Sequence, residues 1–469
     1  MKTRSWVLLI FSVALAELFL AGRTYGQSVE TQRSGTHGRF NCSPAPCVLP
    51  PTQASEGENS VTDTPIATNP LNPRQLLLGS VDGNCPVPSV LGFHLSSDGG
   101  STWKRTCMPS IITQQRVFWP SDEPSVGYDR KGAAYIAGLY FDSEAMGYGF
   151  VAFQKSADGT HWSKPAVALR LPGHTYPFET GLTVDTNAGS PWVDSLYVSG
   201  ILWTDQGFKN QVQVSHSTDG GVTWKQVAAE SVQKYPSQDF FTRLAAGKDG
   251  TVYLTWMRCV GTNSEICGDN IAHMMFSKST DGGNTWSPPQ RMTTVTVNWF
   301  LPNTGQRVYN YPVIGVDNSS GPYAGNLYVT MYTWTGTHLR VQVIRSTDGG
   351  TTWSKPVHLA PSSDTHDQFF PSISVSATGK VGVSWLDRRN DPNNINYQAF
   401  ASISADGGQT FPNQRLTKAF SDPNNNGTGN NWMGDYTGNT WAGPDFIAAW
   451  MDSSNGVDMQ EVVGGIRLR

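Results

Sequence analysis

Asp63, Glu123, Glu179, Asp239 and Asp435 each stand close to the head of a short apolar run, and such runs recur about every 60 residues along the chain. Tyr436 follows Asp435, and Arg243, Arg307, Arg388 and Trp441 fall near the ends of comparable runs. Carboxyls that meet in pairs can act as acid, base or nucleophile when a glycosidic bond is broken. Guanidinium forks grip a carboxylate, and a large aromatic ring packs on the apolar face of a sugar. The combination suits a carbohydrate ligand. Each residue taken alone also fits a structural role, since an aspartate at a strand end caps a turn and Arg388 can pair with Asp387 or Asp391.

The elements that must position these residues are set by six near-copies of one motif. The clearest is Ser346-Thr347-Asp348-Gly349-Gly350-Thr351-Thr352-Trp353, and the other copies centre on Asp98, Asp158, Asp219, Asp281 and Asp406. Asp-Gly-Gly is hairpin-turn chemistry, because glycine supplies positive φ and a short acid accepts bonds from nearby backbone N–H groups. The leading serine can do the same. Six equal copies argue for a structural staple over a catalytic role. Each unit carries four short β-like segments, the grammar of a propeller blade. The chain is therefore expected to be all-β, a β-propeller of four-stranded blades. A seventh, partial unit at the C-terminus lacks the motif and a fourth strand. A strand from the N-terminal lead-in would complete it and leave no open edge, which selects seven blades; six is the alternative if that unit is an elaboration.

In such a ring the aspartate turns share one face. The opposite face takes the long links, residues 292–310 and 418–433, and the acidic heads of the innermost strands, which would ring the mouth of a central channel. Loops on a rigid scaffold are where binding usually lives.

The motif resembles the Asp-box (BNR) repeat of the sialidase superfamily, and the resemblance covers most of the chain from about Asp63 onward. It implies a propeller with a carbohydrate-facing site and, if the chain is an enzyme, an exo-sialidase-like glycoside hydrolase; a non-catalytic glycan- or protein-binding propeller is the alternative. Sialidases use three arginines on the substrate carboxylate, a tyrosine helped by a glutamate, and an aspartate acid/base. The resemblance then implies Tyr436 as the tyrosine, Glu123 or Glu179 as the glutamate, Asp435 and Asp239 as further carboxyls, and Arg243, Arg307, Arg388 and Trp441 as substrate contacts. The Phe/Tyr-Arg-Ile-Pro motif of that superfamily is replaced in the first unit by Asp63-Thr64-Pro65-Ile66, and Arg243 lies in Phe241-Thr242-Arg243-Leu244.

The totals bound the remaining choices. A net charge of −4, with 33 basic and 37 acidic side chains, argues against a nucleic-acid partner. Residues 1–26 read as a secretory signal with Lys2 and Arg4 before a short apolar core, too short for a membrane span. Residues 27–60 form an extended lead-in and residues 61–469 a single propeller domain, secreted or periplasmic, expected as a monomer with no membrane contact after cleavage. The six cysteines read as disulfides, and proximity pairs Cys42–Cys47, Cys85–Cys107 and Cys259–Cys267. No cofactor or metal is expected, because the cysteine spacing is not that of a zinc site and the Asn-rich residues 422–431 lack the ligand ladder of a calcium loop.

Overall fold

A computed structural model describes residues 44–142, 149–170, 177–204, 209–260 and 267–468; the signal sequence and Cys42 lie outside them. The described residues contain no α-helix. The strands form seven antiparallel sheets, each built outward from an innermost strand. The innermost strands include Ile66–Asn69, Val117–Tyr128, Pro177–Val184, Ser237–Ala246, Val313–Val316, Gln368–Val375 and Gly438–Ala442. Each touches the next, and the seventh touches the first, so the sheets close into a seven-bladed propeller.

Blade seven is completed as its open edge requires. Its outermost strand is Cys47–Gln53, which pairs antiparallel with Gln460–Arg467, Leu49 opposite Gly465 and Thr52 opposite Val463. The chain's start therefore locks its end.

The aspartate turns are built alike. In blade one the Ser96 hydroxyl donates to Asp98 Oδ1 at 2.9 Å and accepts from the Gly100 amide at 2.7 Å, while Asp98 Oδ2 accepts from the Thr102 hydroxyl at 2.7 Å. The same bonds recur around Asp219, Asp281, Asp348 and Asp406. At Asp158, where the turn is one residue shorter, His161 takes the threonine's place. Every oxygen of these carboxylates is engaged within its own turn, which accounts for six copies without catalysis.

The turns also join blades. Lys155 and Lys278 donate to the carbonyls of Gly220 and Gly349 at 2.9 and 2.8 Å, and Arg345 to that of Gly407 at 2.8 Å, each reaching into the next blade. Thr52 of the closing strand donates to Gly100 at 2.7 Å, so the last seam repeats the device. Gly350 has φ +89°, and its missing side chain leaves room for the Phe276 ring of the preceding blade. That ring meets Trp353 edge-on at 5.5 Å.

The seam between blades seven and one holds a buried charge cluster. His94 Nδ1 lies 2.7 Å from Glu461 Oε2 and its Nε2 3.5 Å from Asp82 Oδ2, which also accepts from Arg105 Nε at 2.6 Å. Burial pulls the His94 imidazole down, but the charges and hydrogen bonds of Glu461 and Asp82 outweigh it and hold it at about 9. Burial pushes the Glu461 carboxyl up to about 7 against the pull of His94. Cys85–Cys107 and Cys259–Cys267 are disulfides, as their proximity in sequence implies, and Cys47 is disulfide-bonded as well.

Two outcomes are expected. Gly350→Ala forces a Cβ onto Phe276 at a positive φ and should cost about 2 kcal/mol of stability, read as a lowered thermal midpoint. The second concerns pH. His94 and Glu461 both bind protons more tightly in the folded ring. The stabilisation from His94 is therefore fully present below the ordinary histidine value of about 6.5. It is lost as pH rises through 7 toward 9, so the thermal midpoint should fall across that window, and His94→Gln should flatten the slope.

Candidate functional site

The heads of the innermost strands do not run straight. Glu123, Phe241 and Phe370 have φ of 59°, 63° and 48°, and each sits where the pairing with the second strand slips. Asp63, between the two short segments of the first inner strand, has φ 58°. A left-handed residue inside a strand is a bulge, which re-aims its neighbours and costs backbone strain. The kink recurs at the heads of blades one, two, four and six and re-aims the side chains beside it there.

The floor of that mouth is closed. Tyr436, 7% exposed, sends its hydroxyl from blade seven to the Pro124 carbonyl of blade two at 2.7 Å. Arg243 lies 4.2 Å over the Tyr311 ring and 4.8 Å over that of Tyr436, and donates to the carbonyls of Thr242 and Thr180. Burial, reinforced by the charges of Glu123 and Asp63, drives the Tyr436 hydroxyl far above the usual phenol range. A phenol held protonated and committed to a carbonyl braces the ring.

Acids gather above this floor. Asp63 is buried and accepts from the amides of Asp435 at 2.5 Å and Tyr436 at 3.3 Å, stitching blade one to blade seven. Burial, then the charges of Asp435 and Asp122, push its carboxyl well up. Asp435 receives Arg307 as a fork, with Nη2 at 2.9 Å from Oδ1 and 2.8 Å from Oδ2. Arg307 is steered by the Tyr309 ring, 4.6 Å from its guanidinium, and by its own amide, which donates to Asn431 at 2.8 Å. Asp122 is half-buried, and its one hydrogen bond among the described residues comes from the adjacent Glu123 amide at 2.9 Å. Burial and the charge of Asp435 raise it to about 6. The Arg307 charge draws this carboxyl down against those two effects without cancelling them, so it is placed to hold a proton just below neutrality.

The other candidates lie elsewhere. Asp239 is fully buried and turned into its blade, where Oδ1 accepts from Trp256 Nε1 at 2.9 Å and Arg258 Nε at 2.7 Å. Arg258 also pairs with Glu230, whose carboxyl burial and the Asp239 charge raise to about 8. Glu179 lies on the innermost strand of blade three, with its side chain outside the described residues. Arg388 is wholly buried, bonded to Asp367 at 3.3 Å and to the Pro302 carbonyl at 2.9 Å. Trp441 pairs with Phe446 beside the hairpin of residues 442–445, at the end of its strand away from the acidic mouth. Of the arginines proposed to hold substrate, Arg243 and Arg307 reach the mouth. Asp122 and Glu230 were absent from the expected set; the bulge at Glu123 is what brings its neighbour to the front.

Tyr436→Phe removes only the hydrogen bond across the channel and should lower unfolding free energy by about 1 kcal/mol, measured by denaturant titration.

No family model matches the chain. A curated relative, a xyloglucanase of Paenibacillus sp., is 24% identical over 304 residues, which are 62% of this chain and 26% of that protein. The chain thus spans about a quarter of the length of the curated relative it matches. Among solved structures, the α-L-arabinofuranosidase of Fusarium graminearum is similar at TM-score 0.49 and 14% identity, covering 76% of this chain and 98% of that one. The intramolecular trans-sialidase of Ruminococcus gnavus is similar at TM-score 0.48 and 12% identity, covering 78% and 96%.

Proposed function

We propose that this chain is a secreted carbohydrate-active propeller that cleaves a glycosidic bond at the acidic mouth of its ring. The observation that carries the reading is Asp122, a half-buried carboxyl raised to about 6 beside the Arg307–Asp435 pair. Two carboxyls whose surroundings differ are the working parts of glycoside hydrolysis. In this reading Asp122 protonates the departing oxygen. Asp435, anchored by Arg307, supplies negative charge beside the developing oxocarbenium and keeps lone pairs for a water. Arg243 and Tyr311 underlie the sugar, while Asp63 and Tyr436 hold the frame.

The arginines favour a neutral sugar. Arg307 is already matched by Asp435, and Arg388 is sealed in its own ion pair. A substrate carboxylate would therefore meet Asp63, Asp122, Glu123 and Asp435 with Arg243, held by carbonyls and two aromatic rings, as the remaining positive charge. The similarity to a xyloglucanase supports a neutral glycan over a sialylated one. The two disulfides support an oxidising compartment.

A non-catalytic glycan-binding propeller is the second reading. Its support is that Asp435 is 5% exposed and already chelated.

Purified protein assayed on xyloglucan, arabinan and aryl-glycosides decides between the two. Asp122→Asn is expected to lower turnover at least about a hundredfold with an unchanged fold, the typical size of a general-acid contribution. Because the acid must carry its proton, kcat/KM in the wild type should fall as pH rises through about 6, the value set by burial and Asp435. Binding without hydrolysis on every substrate would leave the second reading in place.

A further inference from the structure

On the mouth's side of the ring, blades six and seven leave a cavity of about 290 Å³ between their loops. Its wall combines the Phe420 ring, 43% exposed, with Asn390, Asn396, Asp422, Asn425 and Ser454. Three separate segments contribute: the loop after the second strand of blade six, the link between the blades, and the corresponding loop of blade seven.

These segments are tied before any ligand arrives. Asp391 accepts from the amides of Asn393 at 3.0 Å, Ile395 at 3.1 Å and Asn396 at 2.6 Å, which shapes the first loop. Ser453 joins the other two, donating its hydroxyl to the Asp422 carbonyl at 2.6 Å and its amide to Ser421 Oγ at 3.1 Å. Polar groups facing the cavity are left over. Asn390 donates its amide nitrogen to Gln398 at 2.7 Å, leaving its carbonyl oxygen. Asp422 uses Oδ1 on Asn424 and leaves Oδ2. The side chains of Asn425 and Ser454 have no hydrogen-bond partner among the described residues.

We infer that this cavity is a second carbohydrate site, one that holds a neutral sugar of a polysaccharide while the mouth acts on the same chain. An exposed aromatic ring offers a face to sugar C–H groups, and amides and hydroxyls that lack partners match vicinal sugar hydroxyls. The volume lies at the small end of ligand pockets, about 300 Å³ and upward, which suits one or two rings. A prearranged wall reduces the ordering cost of binding. The lining includes Asp391 and Asp422 and no cation, so an acidic sugar is repelled. The link carries the site toward the mouth: just beyond Asn425, Asn426 bonds to Gln306 at 3.1 Å, and Asn431 accepts from Arg307. That the mouth acts on the same chain rests on the function proposed above; binding at this cavity does not.

The test is native electrophoresis of the full chain through gels containing xyloglucan, arabinan or polygalacturonate. Wild type should be retarded by at least one neutral polymer and not by polygalacturonate. Phe420→Ala and Asn425→Ala, both at solvent-facing positions, should weaken the retardation about tenfold, the loss of one ring or amide contact, with an unchanged melting temperature and unchanged turnover of a small aryl-glycoside. Asp122→Asn should keep the retardation while losing turnover, which separates this site from the mouth. No retardation by any neutral polymer, equal retardation by polygalacturonate, or Phe420→Ala and Asn425→Ala proteins retarded like wild type would each overturn the proposal. Full turnover by Asp122→Asn would overturn only the assignment at the mouth.

Discussion

The structure depends on one joint, the pairing of Cys47–Gln53 with Gln460–Arg467 that makes the two ends of the chain neighbours. Each blade is a small sheet with one polar edge, and seven of them in a row would expose an unpaired strand at the end. Closing the ring removes that edge and brings the inner strand of blade seven against that of blade one. The seam is also where charge is buried. His94, Asp82 and Glu461 are each no more than 2% exposed. Desolvating these groups is unfavourable unless each finds its partner. Glu461 comes from blade seven and His94 from blade one, so the partners coincide only in the closed ring. The cluster thus selects the closed register over a slipped one, in addition to whatever stability it adds.

What closure makes possible is a cluster of side chains that no single blade contains. Asp63 comes from blade one, Asp122 from blade two, Arg243 from blade four, Arg307 from the link into blade five and Asp435 from blade seven. The bonds Tyr436–Pro124, Asp435–Asp63 and Thr437–Phe370 then run between blades instead of within them. Strained left-handed residues at the strand heads are tolerated because neighbours on both sides over-determine them. The aspartate turns do the opposite work at the other end, where small glycines let blades three to six each sit on an aromatic ring of the one before. Rigidity is concentrated at one face, which leaves the other free to carry long, varied loops.

That division explains how much could be read in the sequence. The repeat, the turn chemistry, the closing strand and the two disulfides within the described residues follow from local spacing, and the fold has each of them. The sequence places Asp63, Asp435, Arg243 and Arg307 at the strand heads where the structure gathers them. At Glu123 the bulge breaks the two-residue alternation, so the facing of Asp122 and Glu123 does not follow from spacing. Asp239 has the right spacing and is drawn inward by Trp256 and Arg258, which lie on the neighbouring strand. Arg388 looks like Arg307 in sequence, yet it is buried against Asp367 and bonded to the Pro302 carbonyl and Thr304. Such differences rest on contacts between residues far apart in the chain, and spacing carries no trace of them.

The charge arrangement at the mouth also constrains what can be recognised there. Acids outnumber the arginines that reach it, and the better placed of those, Arg307, is already spent on Asp435. An anionic ligand gripped by Arg307 would have to break that pair, leaving Asp435 close to Asp122 and Asp63 with its counter-charge withdrawn. Buried carboxylates so placed cannot all stay ionised, so such binding would have to bring protons with it. A neutral sugar asks for no such exchange: it can donate hydroxyls to the carboxyls and rest its apolar face on the aromatic groups around Arg243 and Arg307. The surroundings of Phe420, acidic and without a cation, impose the same preference. The link through Asn426 and Asn431 joins the two places, so one neutral chain could satisfy both without any group changing its charge.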